Sequence, residues 1–323
     1  LIDCFDPHEP FDPPQQDVDR YDPGYSGDAL LWPRYGAPGT HGYSAQEIAH
    51  CHALYCGEIT LVDRWLGHFL DAVEAHGLLS NTAVILTSDH GFLFGEHNWI
   101  GKHSPTLYQP IVHTPLIMYH PHQRQAGGRV AALAQMLDLQ PTVLECLGIE
   151  PSADGHGRSL VPLVTGSANR TRDIALFGVF GGSLYAADGE WVFVKRPVAE
   201  NAPLHWYTRS HFNQWDFGQI NDLGATRQRL QHYNGGRFPA WYRGDTLNHG
   251  GPSPLPIVPR GEGAQDAGAD ALYHVAGDEA QAEDLAQQQP ERVAAFKRAM
   301  AAYLGTIRAS GEQLDRLGLR SYA

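Results

Sequence analysis

The sequence predicts an α/β fold: a mixed sheet flanked by helices, followed by a smaller antiparallel sheet carrying a terminal helix. Three observations predict it. The run "TAVILTSDHG" is a continuous apolar stretch closed by Gly, the pattern of a buried strand. Between Ser44 and His76, the positions Ile48, His52, Tyr55, Ile59, Val62, Leu66, Phe69 and Val73 alternate steps of four and three, which makes one helical stripe. Beyond residue 150, "DIALFGVFGGSLYAADGEWVFVKR" alternates apolar and polar residues around Gly and Asp-Gly turns, as antiparallel strands do. The chain of 323 residues is long enough for one large domain with a smaller one. The change of character places an α/β part at residues 1–150 and a C-terminal subdomain at 151–323.

In order along the chain, "LIDCFD" reads as a strand ended by Pro7, and residues 9–43, rich in Pro, Gly, Asp and Tyr, read as a long ordered loop. The helix that follows starts on a capping box, Ser44 with Glu47, and stops at Gly77. The strand ending at Ser88 leads into a loop rich in Gly and His. A second apolar run, "TPLIMYHP", reads as another strand, and "LAQMLDLQPTVLECLGI" as a helix bent near Pro141. Residues 197–265 carry many aromatics among Pro and Gly. They border a substrate cleft or a homo-oligomer contact, or form a surface excursion with its own small core; the residues do not separate these. The last helix has Pro290 in its first turn, with Val293, Phe296, Met300, Tyr303 and Ile307 on one face.

The charge balance excludes some partners. With 23 basic and 36 acidic residues the formal charge is −13, which does not favour nucleic acid or an anionic membrane. No apolar run approaches the ~18 residues of a spanning helix. A small anionic substrate stays compatible, because a metal or a few cations can reverse the potential in one cleft. Cys4, Cys51, Cys56 and Cys146 form no C-x-x-C pair and are expected as free, buried thiols, which leans toward a reducing, cytoplasmic compartment. The chain opens at Leu1 inside a strand pattern, so an upstream segment is expected and the compartment stays open.

Ligands in open α/β sheets bind outside the carboxyl ends of the strands. Asp89 and His90 stand at such an end, where a carboxylate oxygen and an imidazole nitrogen can reach one divalent cation. The plainer reading is an Asp in a turn beside a His that merely packs. Lys102, in "IGKHSP", is an ammonium for an anion or a solvated loop residue. His8, in "DPHEP", is a proton donor or oxyanion ligand, or a His that bonds its own loop. His103 is a further candidate near the substrate, whereas His97, His113 and His120 are read as structural.

The strings "LIDCFDPHEPF", "YCGEITLVDRWLG", "TAVILTSDHGFLFGEHNWIGKH", "HTPLIMYHP", "LDLQPTVLECLGI" and "GRSLVPLVTG", in this order, resemble the sulfatase family of the alkaline-phosphatase-like superfamily. "GEWVFVKR" and "LYHVAGDEAQAEDLA" resemble its C-terminal segments, with His274 and Asp284 departing from the expected Asp and Asn. The resemblance implies an alkaline-phosphatase-like core and cleavage of a sulfate monoester. It implies that Asp89 and His90 are metal ligands, for Ca²⁺ first and Mn²⁺ or Zn²⁺ as alternatives. It implies that Lys102 contacts the sulfate oxygens, and that His8 contacts the sulfate and its leaving oxygen. The family's nucleophile is a formylglycine made within Cys/Ser-x-Pro-x-Arg. No Cys or Ser here has Pro two residues later, and the family's early Asp-Asp pair is missing too. The chain is therefore expected to be the downstream portion of such an enzyme, with formylglycine upstream. Two alternatives stay open: a phosphonate monoester or phosphodiester hydrolase of the same superfamily, and a catalytically silent anion-binding member.

Overall fold

The structure is a computed structural model. It describes the chain apart from residues 103, 105, 124, 125, 154, 180, 200, 202–204, 209–227, 231–239 and 246–267, with backbone alone at 205–208, 228–230 and 240–245. It divides into two compact units, one of Leu1–Val130, Thr142–Glu150 and Ser159–Asn169, the other of Ala131–Pro141, Pro151–Arg158 and Arg170–Ala323.

In the first unit the long helix α1 spans Ala45–Ala75. Both halves of its capping box form: Ser44 Oγ accepts from the Glu47 amide at 3.2 Å, and Glu47 Oε2 accepts from the Ser44 amide at 2.8 Å. Gly77, at φ 68°, takes the left-handed turn that ends it. The buried face follows the periodic stripe only in part: Val73 is buried and Ile48 and Tyr55 pack against the core. Cys51, Ala53, Leu54 and Glu58 are buried, whereas Ile59 and Phe69 are exposed. The loop over residues 9–43 decides this, because its polar contacts dock on the Cys51–Glu58 face. Glu58 Oε1 accepts from the Asp12 amide at 2.8 Å, Cys51 Sγ donates to the Leu30 carbonyl at 3.3 Å, and Arg64 pairs with buried Asp17. Apolar periodicity does not register such contacts.

Strand β1 (Val84–Thr87) pairs antiparallel with β4 (Leu116–Tyr119), in the register Val84↔Tyr119 to Thr87↔Leu116. Between them, β2 (Leu93–Phe94) and β3 (Ile100–Gly101) form a short hairpin, and Ile100 also bridges Gly36. Phe11, Val18, Cys51, Leu54, Phe92 and Ile100 make the core here. Burying a side chain such as Phe11 stabilises by about 1.5–3 kcal/mol. Every ladder among the described residues is antiparallel.

Two local expectations are corrected. Leu1–Phe5 are not a strand: they lie in no ladder among the described residues, and Leu1, Ile2 and Phe5 are exposed. A strand needs a partner for its backbone groups. The helix near Pro141 is not bent but shorter. A 3-10 turn over Met136–Asp138 precedes α2 (Leu139–Cys146), so Pro141 falls in the first helical turn, where no backbone donor is needed. Of the thiols only Cys51 is buried, and Cys4 and Cys146 are exposed. No helix of the described residues is long and apolar enough to cross a membrane.

The second unit is built on a four-stranded antiparallel sheet, β11-β7-β6-β5, of β5 (Ala175–Gly178), β6 (Leu184–Ala187), β7 (Val192–Lys195) and β11 (Ala271–Tyr273). The Asp-Gly turn forms as its residues predict, with Asp188 Oδ1 accepting from the amides of Glu190 and Trp191. Asp284, the departure from the expected Asn, still accepts from the Leu272 and Ala286 amides, both at 2.9 Å. The helix α3 (Pro290–Thr306) brings Phe296, Met300, Ala301 and Leu304 into a core with Phe193 and Leu272. Asp138 pairs with Arg172, both buried, and this fastens the loop side of the unit. Within the aromatic insert, backbone strands β8 (His205–Thr208), β9 (Gln228–Leu230) and β10 (Ala240–Asp245) form a three-stranded sheet. Most of the insert lies outside the described residues.

Candidate functional site

His8 and Lys102 come together. His8 follows a turn in which its amide donates to the Phe5 carbonyl at 3.0 Å, and Lys102 directly follows β3. The Lys102 Nζ to His8 Nε2 distance is 2.5 Å. His8 Nδ1 lies 2.6 Å from the backbone carbonyl of Glu9. A carbonyl only accepts, so Nδ1 carries the ring proton and the Nε2 lone pair faces the ammonium.

A third side chain completes the cluster, and the sequence did not single it out. Glu9 is 2% exposed. Its Oε1 accepts from the Tyr35 hydroxyl and lies 3.5 Å from Lys102 Nζ, and its Oε2 lies 3.5 Å from His8 Nδ1. The Lys102 side chain is only 13% exposed, so a counter-charge close by offsets its desolvation. Glu9 sits between His8 and a Pro in "PHEPF", without periodicity or spacing to mark it, and Tyr35 carries no local signal at all.

Glycine makes the approach of these parts feasible at one position. Gly101 has φ 113°, and a Cβ there would lie 2.6 Å from Cγ of the Tyr35 ring. The Gly36–Ile100 bridge holds the two segments at that distance, with reciprocal bonds of 3.0 and 2.9 Å. Lys102 is thereby delivered next to the Tyr35–Glu9 contact.

Asp89 and His90 form a second pair at the end of β1. Asp89 Oδ1 accepts from the amide of the next residue, His90, at 2.8 Å. Asp89 Oδ2 and His90 Nε2 lie 3.4 Å apart. Neighbouring donors on one divalent ion, each ~2.0–2.5 Å from it, adopt about that separation. The Asp89 side chain is 80% exposed, so no protein group competes for it by burial. These residues fit a metal as two ligands of a larger set: no group of three His, Cys, Asp or Glu suited to a metal occurs among the described residues.

Among the described residues no hydrogen bond or ion pair joins His8 or Lys102 to Asp89 or His90. Phe92, two residues after His90, places its ring 5.5 Å from that of Phe11 and 5.8 Å from that of Tyr35. His103 lies outside the described residues. His97 stacks on Tyr108 at 3.4 Å, and His120 Nδ1 accepts from the His122 amide.

Residues 5–149 match the family model described as Sulfatase. The chain is 34% identical over 119 residues to N-acetylglucosamine-6-O-sulfatase of Bacteroides thetaiotaomicron, covering 37% of this chain and 21% of that protein. It is 34% identical over 131 residues to arylsulfatase K of Xenopus laevis, covering 41% of this chain and 24% of that protein. A solved structure from glycosaminoglycan metabolism in Bacteroides thetaiotaomicron is similar over 97% of this chain and 55% of its own, with TM-score 0.61 and 18% identity. The phosphonate monoester hydrolase of Agrobacterium radiobacter is similar over 83% of this chain and 43% of its own, with TM-score 0.51 and 20% identity. The curated relatives named here are matched over less than a quarter of their length, and the solved structures over about half. The likeness to solved structures gives the fold as alkaline-phosphatase-like.

Proposed function

We propose that this chain, whose residues 5–149 match the family model described as Sulfatase, is part of a metal-assisted hydrolase of sulfate monoesters. The observation that carries this reading is the 2.5 Å contact between Lys102 Nζ and His8 Nε2. On this reading Lys102 binds sulfate oxygens and His8 faces the bridging oxygen. A proton of the pair moves to the departing alkoxide, a poor leaving group otherwise.

The charge count supports a cation. Lys102 and Glu9 together are neutral, and His8 in the tautomer above adds nothing. An anionic ester held by these three alone would gain little Coulomb energy. A divalent ion at Asp89 and His90 supplies the missing positive charge and stabilises the oxygens as charge builds in the transition state. Ca²⁺ suits the carboxylate, and His90 also permits Mn²⁺ or Zn²⁺. The nucleophile on this reading is a formylglycine from outside these 323 residues, since its Cys/Ser-x-Pro-x-Arg string is absent from them.

The test is an assay of the full-length protein on an aryl sulfate and the matching aryl phosphonate monoester, with and without divalent metal. A higher kcat/KM on the sulfate, lost on chelation, is the expected result. Preference for the phosphonate would replace sulfate by phosphonate as the substrate class, and turnover of neither would indicate a silent anion-binding member.

A further inference from the structure

We propose that Glu9 is a positioning residue, whose buried carboxylate holds the Lys102 ammonium in line with His8 Nε2. The inference rests on the sulfate-ester reading for what the pair acts on, but its geometry stands apart from that reading. A carboxylate beside an anion site is at first sight unfavourable, because it repels the substrate. Its burial argues that it has another task. Glu9 reaches Lys102 through Oε1 and His8 through both Oε2 and its own backbone carbonyl, so one residue touches both members of the pair.

Lys102 has four rotatable side-chain bonds and, without a fixed partner, samples many rotamers. A single contact to His8 leaves it free to swing. The second contact, to a carboxylate fixed by Tyr35, defines one direction for the ammonium. The Tyr35 segment is fixed in turn by the Gly36–Ile100 bridge, to the strand that Lys102 directly follows. The cluster is therefore closed: β3 positions Lys102, and Tyr35, next to the Gly36 that bridges β3, positions the carboxylate that aims it. Such support around a reacting group sets the protonation and alignment of that group rather than substrate affinity.

The test uses Glu9→Gln, with Glu9→Asp and Tyr35→Phe as companions, in the full-length protein. Two readouts are taken. The first is ¹⁵N NMR of the His8 ring, assigned by loss of its signals in His8→Asn. The wild type is expected to show a protonated Nδ1 and an Nε2 that accepts a hydrogen bond; in Glu9→Gln the Nε2 signal moves toward that of a free acceptor. The second is kcat and KM on a nitrophenyl sulfate and an alkyl sulfate. Glu9→Gln is expected to lower kcat roughly ten- to hundredfold on the alkyl ester, where leaving-group protonation matters, and less on the nitrophenyl ester. KM should change little, and Glu9→Asp and Tyr35→Phe should fall between. An unchanged His8 ring in Glu9→Gln overturns the proposal, as does an equal kcat loss on both esters. If the wild type cleaves neither ester, the sulfate reading fails and the ring spectra alone decide on Glu9.

Discussion

His8 and Lys102 are separated by 94 residues, yet Nε2 of one lies 2.5 Å from Nζ of the other. A contact that short couples the two side chains into one unit. Groups that act as a unit are non-additive when removed. His8→Asn and Lys102→Met should each lower kcat of the full-length protein by ~10²–10⁴-fold on a poor leaving group. The double variant should be little worse than the more damaging single one. Steady-state kinetics on all four proteins checks this; additive losses would show that the two side chains work independently.

Asp89 is largely exposed and, among the described residues, bonds only Ser88 and His90, so replacing it should leave the fold alone. Asp89→Asn should shift the melting temperature little, within the ~0.5 kcal/mol typical of surface changes. It should weaken divalent-metal affinity by at least roughly tenfold, because a neutral amide is a poorer ligand for a hard cation. Calorimetric titration of the chelated protein with Ca²⁺ and Mn²⁺ measures this. Equal affinity in the variant would place the metal elsewhere.

Most of the architecture was legible in the sequence, because local chemistry set it. Ser44 and Glu47 fixed one end of α1 and Gly77 the other. Asp188-Gly189 fixed a turn, and Pro290 the start of α3. The site was legible in part. Asp89 and His90 stood out because a strand end is a place for ligands, and His8 and Lys102 because their flanking strings resemble a family. Glu9 and Tyr35 were not legible. Their meeting depends on a bridge between residues 36 and 100, a tertiary contact that no local pattern encodes. Part of the buried side of α1 was missed for the same reason, since polar contacts from a loop and not apolar spacing select it.

Gly101 predicts a separable effect on the site. An Ala at φ 113° is strained, and its Cβ would meet the Tyr35 ring at 2.6 Å. Gly95→Ala provides the control, because its φ of 110° imposes the same backbone strain while its Cβ would only touch Ile48 at 3.4 Å. Both variants should lose about 1–3 kcal/mol of stability. Only Gly101→Ala should also displace Lys102, lowering kcat beyond the loss in Gly95→Ala. Comparing melts and turnover of the two variants side by side tests whether Tyr35 contact, rather than chain strain, governs the pair.

Glu58 predicts a pH dependence of stability. Burial is the main cause, with the Asp6 charge adding to it, and together they push its carboxyl up to about 7 from the ordinary 4.5. The folded state therefore holds this proton more tightly than the unfolded chain does. The linked stability is fully present below pH 4.5 and is lost as pH rises through about 7, because the folded protein must then bear a buried carboxylate. Other carboxylates with lowered values, such as Asp270 beside Lys195 and Lys297, act in the opposite sense at acid pH. The informative quantity is therefore the difference between the wild type and Glu58→Gln. Gln keeps an oxygen to accept from the Asp12 amide and carries no proton to lose. From pH 5 to pH 8, the wild type should lose ~1–3 kcal/mol relative to the variant, and the variant should be the more stable protein at pH 8. Urea denaturation of both proteins across this range measures it. Parallel curves would mean that Glu58 is ionised in the folded protein throughout, with its Asp12 contact alone compensating the burial.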